Sequence, residues 1–159
     1  MKKKVIIPII AVILVLIIGV VSFVIINNNK IVSTITLDIN PSIEINLNKN
    51  EKVINVIALN DDAEDIIDDN FKGKNIEETL NTITDNLVEK GYANEGDLLE
   101  VILYTDGIIS DKEFEEKLTK AFREKRISPD IIVVENVTEE DEELAKKYNI
   151  SPAKVSYIK

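Results

Sequence analysis

Ile31-Val32-Ser33-Thr34-Ile35-Thr36-Leu37-Asp38-Ile39-Asn40-Pro41-Ser42-Ile43-Glu44-Ile45-Asn46-Leu47 contains two runs of alternating apolar and polar residues separated by Asn-Pro. In the first run Ile35, Leu37 and Ile39 fall on one side and Thr34, Thr36 and Asp38 on the other. In the second, Ile43, Ile45 and Leu47 oppose Ser42, Glu44 and Asn46. A period of two marks a strand with one buried face. Proline cannot donate to a central ladder, so Asn40-Pro41 must be the break. The spacing predicts strands over 31–39 and 42–47, a turn at Asn48-Lys49-Asn50-Glu51, and a third strand over 52–59. The domain thus opens as a three-stranded antiparallel meander.

Beyond it the period changes. Asp61 or Asp62 is placed to cap a short helix carrying Ala63, Ile66 and Ile67. Asn75 followed by Glu78 has the spacing of a capping box, and opens a helix with Ile76, Leu80, Ile83, Leu87 and Val88 on one side, ending at Gly91. A strand is expected over 98–104, turned by Thr105-Asp106-Gly107. Ser110 with Glu113 opens a helix burying Phe114, Leu118, Ala121 and Phe122. A short strand follows over 131–134, then a helix from Thr138 to about Asn149. Ser151-Pro152 reads as the cap and first-turn proline of a final helix. Each helix has one apolar stripe and must lay it on a sheet face. The expected class is α/β, more finely an α+β-like mixed sheet with packed helices.

Toward the N-terminus the 22 residues of 5–26 carry no charge, and only Pro8, Gly19 and Ser22 interrupt the Ile/Val/Leu run. As a helix this segment is roughly 33 Å long, enough for a hydrocarbon core of about 30 Å. Lys2, Lys3 and Lys4 precede it and Asn27, Asn28 and Asn29 follow, so the positive-inside rule places 1–4 in the cytoplasm and the remainder outside. A cleaved signal peptide is the competing reading, but the apolar core exceeds the roughly 7–15 residues of such segments and no Ala-x-Ala site follows. The expected organisation is a cytoplasmic stub at 1–4, a transmembrane helix at 5–26 in contact with membrane lipid, a spacer at 27–30, and an extracytoplasmic domain over 31–159 close to the membrane surface.

Charge and composition narrow the function. All 29 acidic residues lie at or after Asp38 and 15 of the 19 basic ones follow Ile31, a balance of −14 for the outer domain. That balance opposes nucleic-acid binding. The chain has no cysteine and no histidine, which removes thiol nucleophiles, disulfides, cysteine-based metal sites and the commonest acid–base residue. No cofactor or metal site is expected, and an ordinary enzyme is the weakest reading.

Chemistry is concentrated in Asp38, Asn40, Pro41, Ser42 and Glu44. On one reading Asn40-Pro41 is simply a turn, since both residues favour turns. On the other, the Asn40 side-chain amide closes on its own backbone carbonyl as a succinimide and expels the Pro41 nitrogen. The nucleophile and leaving group are both poor, so the fold would have to hold them together. An X–Pro bond is the easier one to distort, and proline drives Asn40 out of the helical region. Asp38 or Glu44 is placed to accept a proton or orient the amide, and Ser42 to donate to the oxyanion. Alternation alone allows all of them to be solvent-facing residues of a half-buried sheet.

The run 38–44, with Leu47-Asn48, Val53-Ile54-Asn55-Val56, Ala58-Leu59-Asn60-Asp61-Asp62, Phe71-Lys72-Gly73-Lys74, Glu89-Lys90-Gly91-Tyr92 and the tail 145–154, resembles the extracytoplasmic middle domain of the RsgI-like transmembrane anti-sigma factors. The resemblance implies a self-cleaving domain with its break at Asn40-Pro41, halves that stay together by strand pairing, and an intramembrane protease acting once they separate. Met1–Lys4 is too short to be the family's sigma-binding domain. The expectation is therefore no direct sigma-factor binding, with a separately encoded signalling partner instead. An uncleaved envelope binding or scaffold domain is the alternative.

Overall fold

The computed structural model describes the backbone of residues 3–67 and 69–159, with side chains for 10, 12–23, 29–67 and 70–159. The chain divides into two compact units, residues 1–30 and 31–159. The first is a single helix, α1 (Lys3–Asn28), 26 residues long and so about 39 Å. Its described side chains are exposed and apolar apart from Ser22, among them Val15, Leu16, Ile18 and Phe23. Within the described residues no helix is long and apolar enough to cross a membrane. Much of the segment 5–26, the side chains of 5–9, 11 and 24–26, lies outside the described residues, as do Met1 and Lys2 of the stub.

The second unit is built on the predicted meander: β1 (Ser33–Asp38), β2 (Ser42–Leu47) and β3 (Val53–Ala58). Two further strands, β4 (Leu98–Gly107) and β5 (Ser128–Val133), complete a mixed sheet of order β3-β2-β1-β4-β5. Every pair is antiparallel except β4 with β5. β1 is therefore central, hydrogen-bonded on both edges. The remaining elements are α2 (Asp61–Glu64), a 3-10 turn (Asp69–Phe71), α3 (Ile76–Glu89), α4 (Asp111–Glu124), α5 (Glu139–Tyr148) and α6 (Pro152–Ile158).

The period-two reading of β1 and β2 holds for the apolar face but not for a single buried face, since Thr36, Asp38, Ser42 and Asn46 on the polar face are buried too. Ile35, Leu37, Ile43, Ile45 and Leu47 are fully buried in one core with Leu80, Ile83 and Leu87 of α3 and Phe114, Leu118 and Phe122 of α4. The opposite face carries Thr34, Thr36, Asp38, Ser42, Glu44 and Asn46, and α6 packs against β1 and β4. A smaller apolar cluster of Ile102, Val134 and Ala153, flanked by Tyr104 and Val137, seals that side. Asn75, Ser110, Thr138 and Ser151 each cap the helix that the sequence assigns to them.

Three expectations are corrected. Thr105-Asp106-Gly107 is not a turn: it continues β4 opposite Ser33, Thr34 and Ile35 of β1. Gly107 stands there at φ +118 because a Cβ would meet the Val32 carbonyl oxygen at 2.2 Å, so the glycine marks a close approach of strands. The cap of α2 is Asn60, whose side chain accepts from the Ala63 N–H, and not Asp61 or Asp62. β5 starts at Ser128, three residues before the expected position, and tolerates Pro129 because it is an edge strand.

The start of α5 gives a pH prediction. Thr138 and Asp141 cap each other reciprocally, and hydrogen bonds from Lys159 and then from Thr138 hold the Asp141 carboxyl down to about 2, below its ordinary 3.8. A carboxylate whose value falls on folding stabilises the fold above its unfolded value and stops doing so as pH drops through the folded one. Asp141→Asn should therefore lower the melting temperature at pH 5 and make progressively less difference between pH 3.8 and 2. A difference independent of pH would assign the effect to packing.

Candidate functional site

Asp38 pairs with Ser42 across the β1–β2 ladder, leaving Ile39-Asn40-Pro41 to make the whole reversal. The Ile39 N–H donates to the Pro41 carbonyl at 3.0 Å. Pro41 is buried, whereas Asn40 is exposed and sits at φ +52. Asn40 has left the right-handed helical region as expected of a residue before proline, but on the left-handed side. Asparagine tolerates that region better than other non-glycine residues, at a cost on the order of 1 kcal/mol. The chain just after the loop is fixed firmly. The Ser42 N–H donates to the Asn60 side chain at 3.0 Å, and the Leu59 N–H donates to the Ser42 carbonyl at 2.9 Å. Asn60 thus ties the start of β2 to the cap of α2.

Immediately before the loop, Asp38 is only 3% exposed and its carboxylate is surrounded by donors. The Ser42 hydroxyl reaches Oδ2 at 2.9 Å, the Ser151 hydroxyl reaches the same oxygen at 2.8 Å, and Lys154 Nζ stands 3.3 Å from Oδ1. A buried carboxylate needs such partners, because burial without them costs several kcal/mol. Two of the three come from the N-cap and first turn of α6, 113 and 116 residues away. Asn40, Ser42, Asn60 and Lys154 line a depression of about 290 Å³ at the loop, together with the carboxylates of Asp61 and Asp62.

Glu44 is placed differently. It faces the same side as Asp38 and Ser42 but lies two residues further along β2, where it accepts from Asn46 Nδ2 at 2.7 Å. It lines a separate cleft of about 420 Å³ with Thr34, Thr36, Tyr104, Glu142 and Lys146. Burial, and then Asp106, Glu142 and Asp111, push the Tyr104 phenol up from its ordinary value. Of the five predicted residues, the structure therefore gathers Asp38, Asn40, Pro41 and Ser42 at one loop and sets Glu44 in the neighbouring cleft.

Sequence reasoning missed Asn60, Ser151 and Lys154. One signal for Ser151 was available. A serine cap accepts a helix N–H, here that of Lys154 at 3.0 Å, and keeps its own proton for another acceptor. Among the described residues no group of acidic side chains could hold a metal ion. The loop's chemistry rests on amides, hydroxyls, the carboxylates of Asp38, Asp61 and Asp62, and one ammonium.

A family model described as the anti-sigma factor RsgI-like central domain matches residues 32–159. The chain is 32% identical to anti-sigma-I factor RsgI7 of Acetivibrio thermocellus over 149 residues, 90% of this chain and 27% of that protein. It is 31% identical to anti-sigma-I factor RsgI of Bacillus anthracis over 97 residues, 60% of this chain and 21% of that one. It thus spans at most about a quarter of the length of these relatives.

Proposed function

The chain belongs to the family of RsgI-like anti-sigma factor central domains, and from that premise we propose that it is a membrane-anchored, extracytoplasmic signalling domain that cuts itself once, between Asn40 and Pro41. The observation that carries the reading is the Asn40 loop: an asparagine at φ +52 before a buried proline, clamped by the Asp38–Ser42 pair on one side and Asn60 on the other. A strained loop held at both ends is where a slow intramolecular reaction gains most from positioning. In the step, Asn40 Nδ2 bonds to the Asn40 carbonyl carbon and the bond from that carbon to the Pro41 nitrogen breaks. One Nδ2 proton goes to the departing nitrogen. The products are a succinimide-ended fragment and a fragment beginning with Pro41. Asp38 is the nearby carboxylate for proton movement, and Ser42 holds it in place.

Helix α1 serves as the anchor in this reading. Its uncharged run, its exposed apolar side chains and the three lysines before it support a membrane-spanning helix with a cytoplasmic N-terminus. The acidic outer domain is kept from nucleic acid. Its partner is an intramembrane protease, which reaches α1 once the outer domain has gone, or another signalling protein.

One fractionation tests anchor and scission together. Membranes from cells making the chain should retain both pieces in buffer. Denaturant should release a 119-residue fragment that mass spectrometry identifies as starting at Pro41, while residues 1–40 stay with lipid. An intact chain after denaturation would overturn the scission. It would favour the alternative of an uncleaved binding domain, which is supported by the cleft beneath α5 and α6 that holds Glu44 and Tyr104.

A further inference from the structure

The donors around Asp38 do not all come from the hairpin that carries the scissile bond. Ser42 is local, but Ser151 is the N-cap of α6, the last element of the domain, and Lys154 lies in its first turn. Ser151 is fully buried, and its hydroxyl has two fixed engagements: it donates to Asp38 and accepts from the Lys154 N–H. The second engagement is the helix cap, so the hydroxyl is aimed at Asp38 when α6 is helical and seated on β1 and β4. Lys154 then lies on the same turn, with its ammonium at Asp38 and its side chain at the edge of the depression containing Asn40.

We infer that Ser151 and Lys154 are positioning residues for scission at Asn40-Pro41, so that the bond breaks only after α6 has docked. The inference rests on the self-cleavage proposed above. Without α6, Asp38 keeps one hydroxyl donor on Oδ2 and none on Oδ1, and both its orientation and the loop's clamp loosen. An intramolecular reaction with a poor nucleophile is sensitive to such loosening, because a displacement near 1 Å can cost on the order of 100-fold. Docking of α6 needs the sheet and α5 in place. The cut is thereby ordered after folding, and the two pieces arise already paired through both edges of β1.

A time course of scission after cell-free synthesis of the full chain tests this, read on denaturing gels. Lys154→Met and Ser151→Ala, separately, should slow the cut by about 10- to 100-fold, while Lys154→Arg restores most of the rate because it returns a cationic donor. Lys154→Met takes the cation from the buried Asp38 and should lower the melting temperature, so its cutting rate is compared with that of a core variant that is also destabilised. Ile83→Val, which weakens the core on the opposite face of the sheet, should melt lower and cut at the normal rate. Wild-type rates in both Lys154→Met and Ser151→Ala would overturn the positioning role, as would equal slowing in Ile83→Val. A wild-type chain that never cuts in the same assay would instead overturn the underlying self-cleavage.

Discussion

Asn40→Ala should leave the chain as one 159-residue piece after denaturation, under conditions where the unaltered chain separates into residues 1–40 and 41–159. Alanine has no side-chain nitrogen to attack the carbonyl, so the effect is loss of the reaction and not a slowing. The substitution also disturbs the backbone, because alanine tolerates φ +52 less well than asparagine, at a cost on the order of 1 kcal/mol. Asn40→Asp separates the two effects. Aspartate accepts the left-handed conformation almost as readily and keeps the side chain's shape, but offers a carboxylate oxygen in place of the amide nitrogen. At neutral pH it should stay intact with near wild-type stability. A chain that still breaks at Pro41 in both variants would mean that the nucleophile is not Asn40. Intact mass on freshly denatured protein decides the matter.

How much of this was legible in the sequence depended on how local each feature is. β1, β2 and the helix caps were readable because their determinants lie within a few residues: alternation for the strands, and a Ser, Thr or Asn at the N-cap for α3 to α6. The extension of β4 through Thr105, Asp106 and Gly107 was not. Gly107 obeys turn chemistry locally, and only its contact with Val32 and Ser33, far away in the chain, shows why a glycine is needed. Asn60 was hidden in a similar way. Next to Asp61 and Asp62 it is one of three plausible caps, and its bond to the Ser42 backbone is what distinguishes it.

The loop itself shows the same limit. Strand period paired Asp38 with Asn40 and Ser42 with Glu44 without joining the pairs; the β1–β2 ladder sets Asp38 against Ser42 and leaves Asn40 in the turn. Period does not say that two residues along a strand is far enough to put Glu44 into another cleft. Nor does it show that Asp38, the carboxylate just before the loop, would draw Ser151 and Lys154 from the end of the chain. A sequence reading can find the residue that reacts, because its neighbours are adjacent. The groups that hold that residue come from wherever the topology brings them.

The second large effect concerns what holds the pieces together. Once the bond at Asn40-Pro41 is broken, residues 1–40 contribute the central strand, and both strands beside it belong to the other fragment. Ile35, Leu37 and Ile39 are almost entirely buried and together stabilise the association by about 5–9 kcal/mol in area terms. Leu37→Ala should remove about 2–5 kcal/mol of that, a large share of a domain's usual total of about 5–15 kcal/mol. In the intact Asn40→Asp background, urea unfolding should show the loss as an earlier midpoint. In the cleaved chain the same substitution should appear as release, with the 119-residue fragment leaving washed membranes without denaturant. Thr34→Ala, on the opposite face, removes only the partly buried hydrogen bond to Asn46, which is worth about 1 kcal/mol, and should leave the fragment bound. If Leu37→Ala is retained as firmly as wild type, the backbone ladders on the two edges of β1 carry the association. If it is released, the buried apolar face of β1 sets the force or affinity that a signal must overcome to separate the outer domain from its anchor.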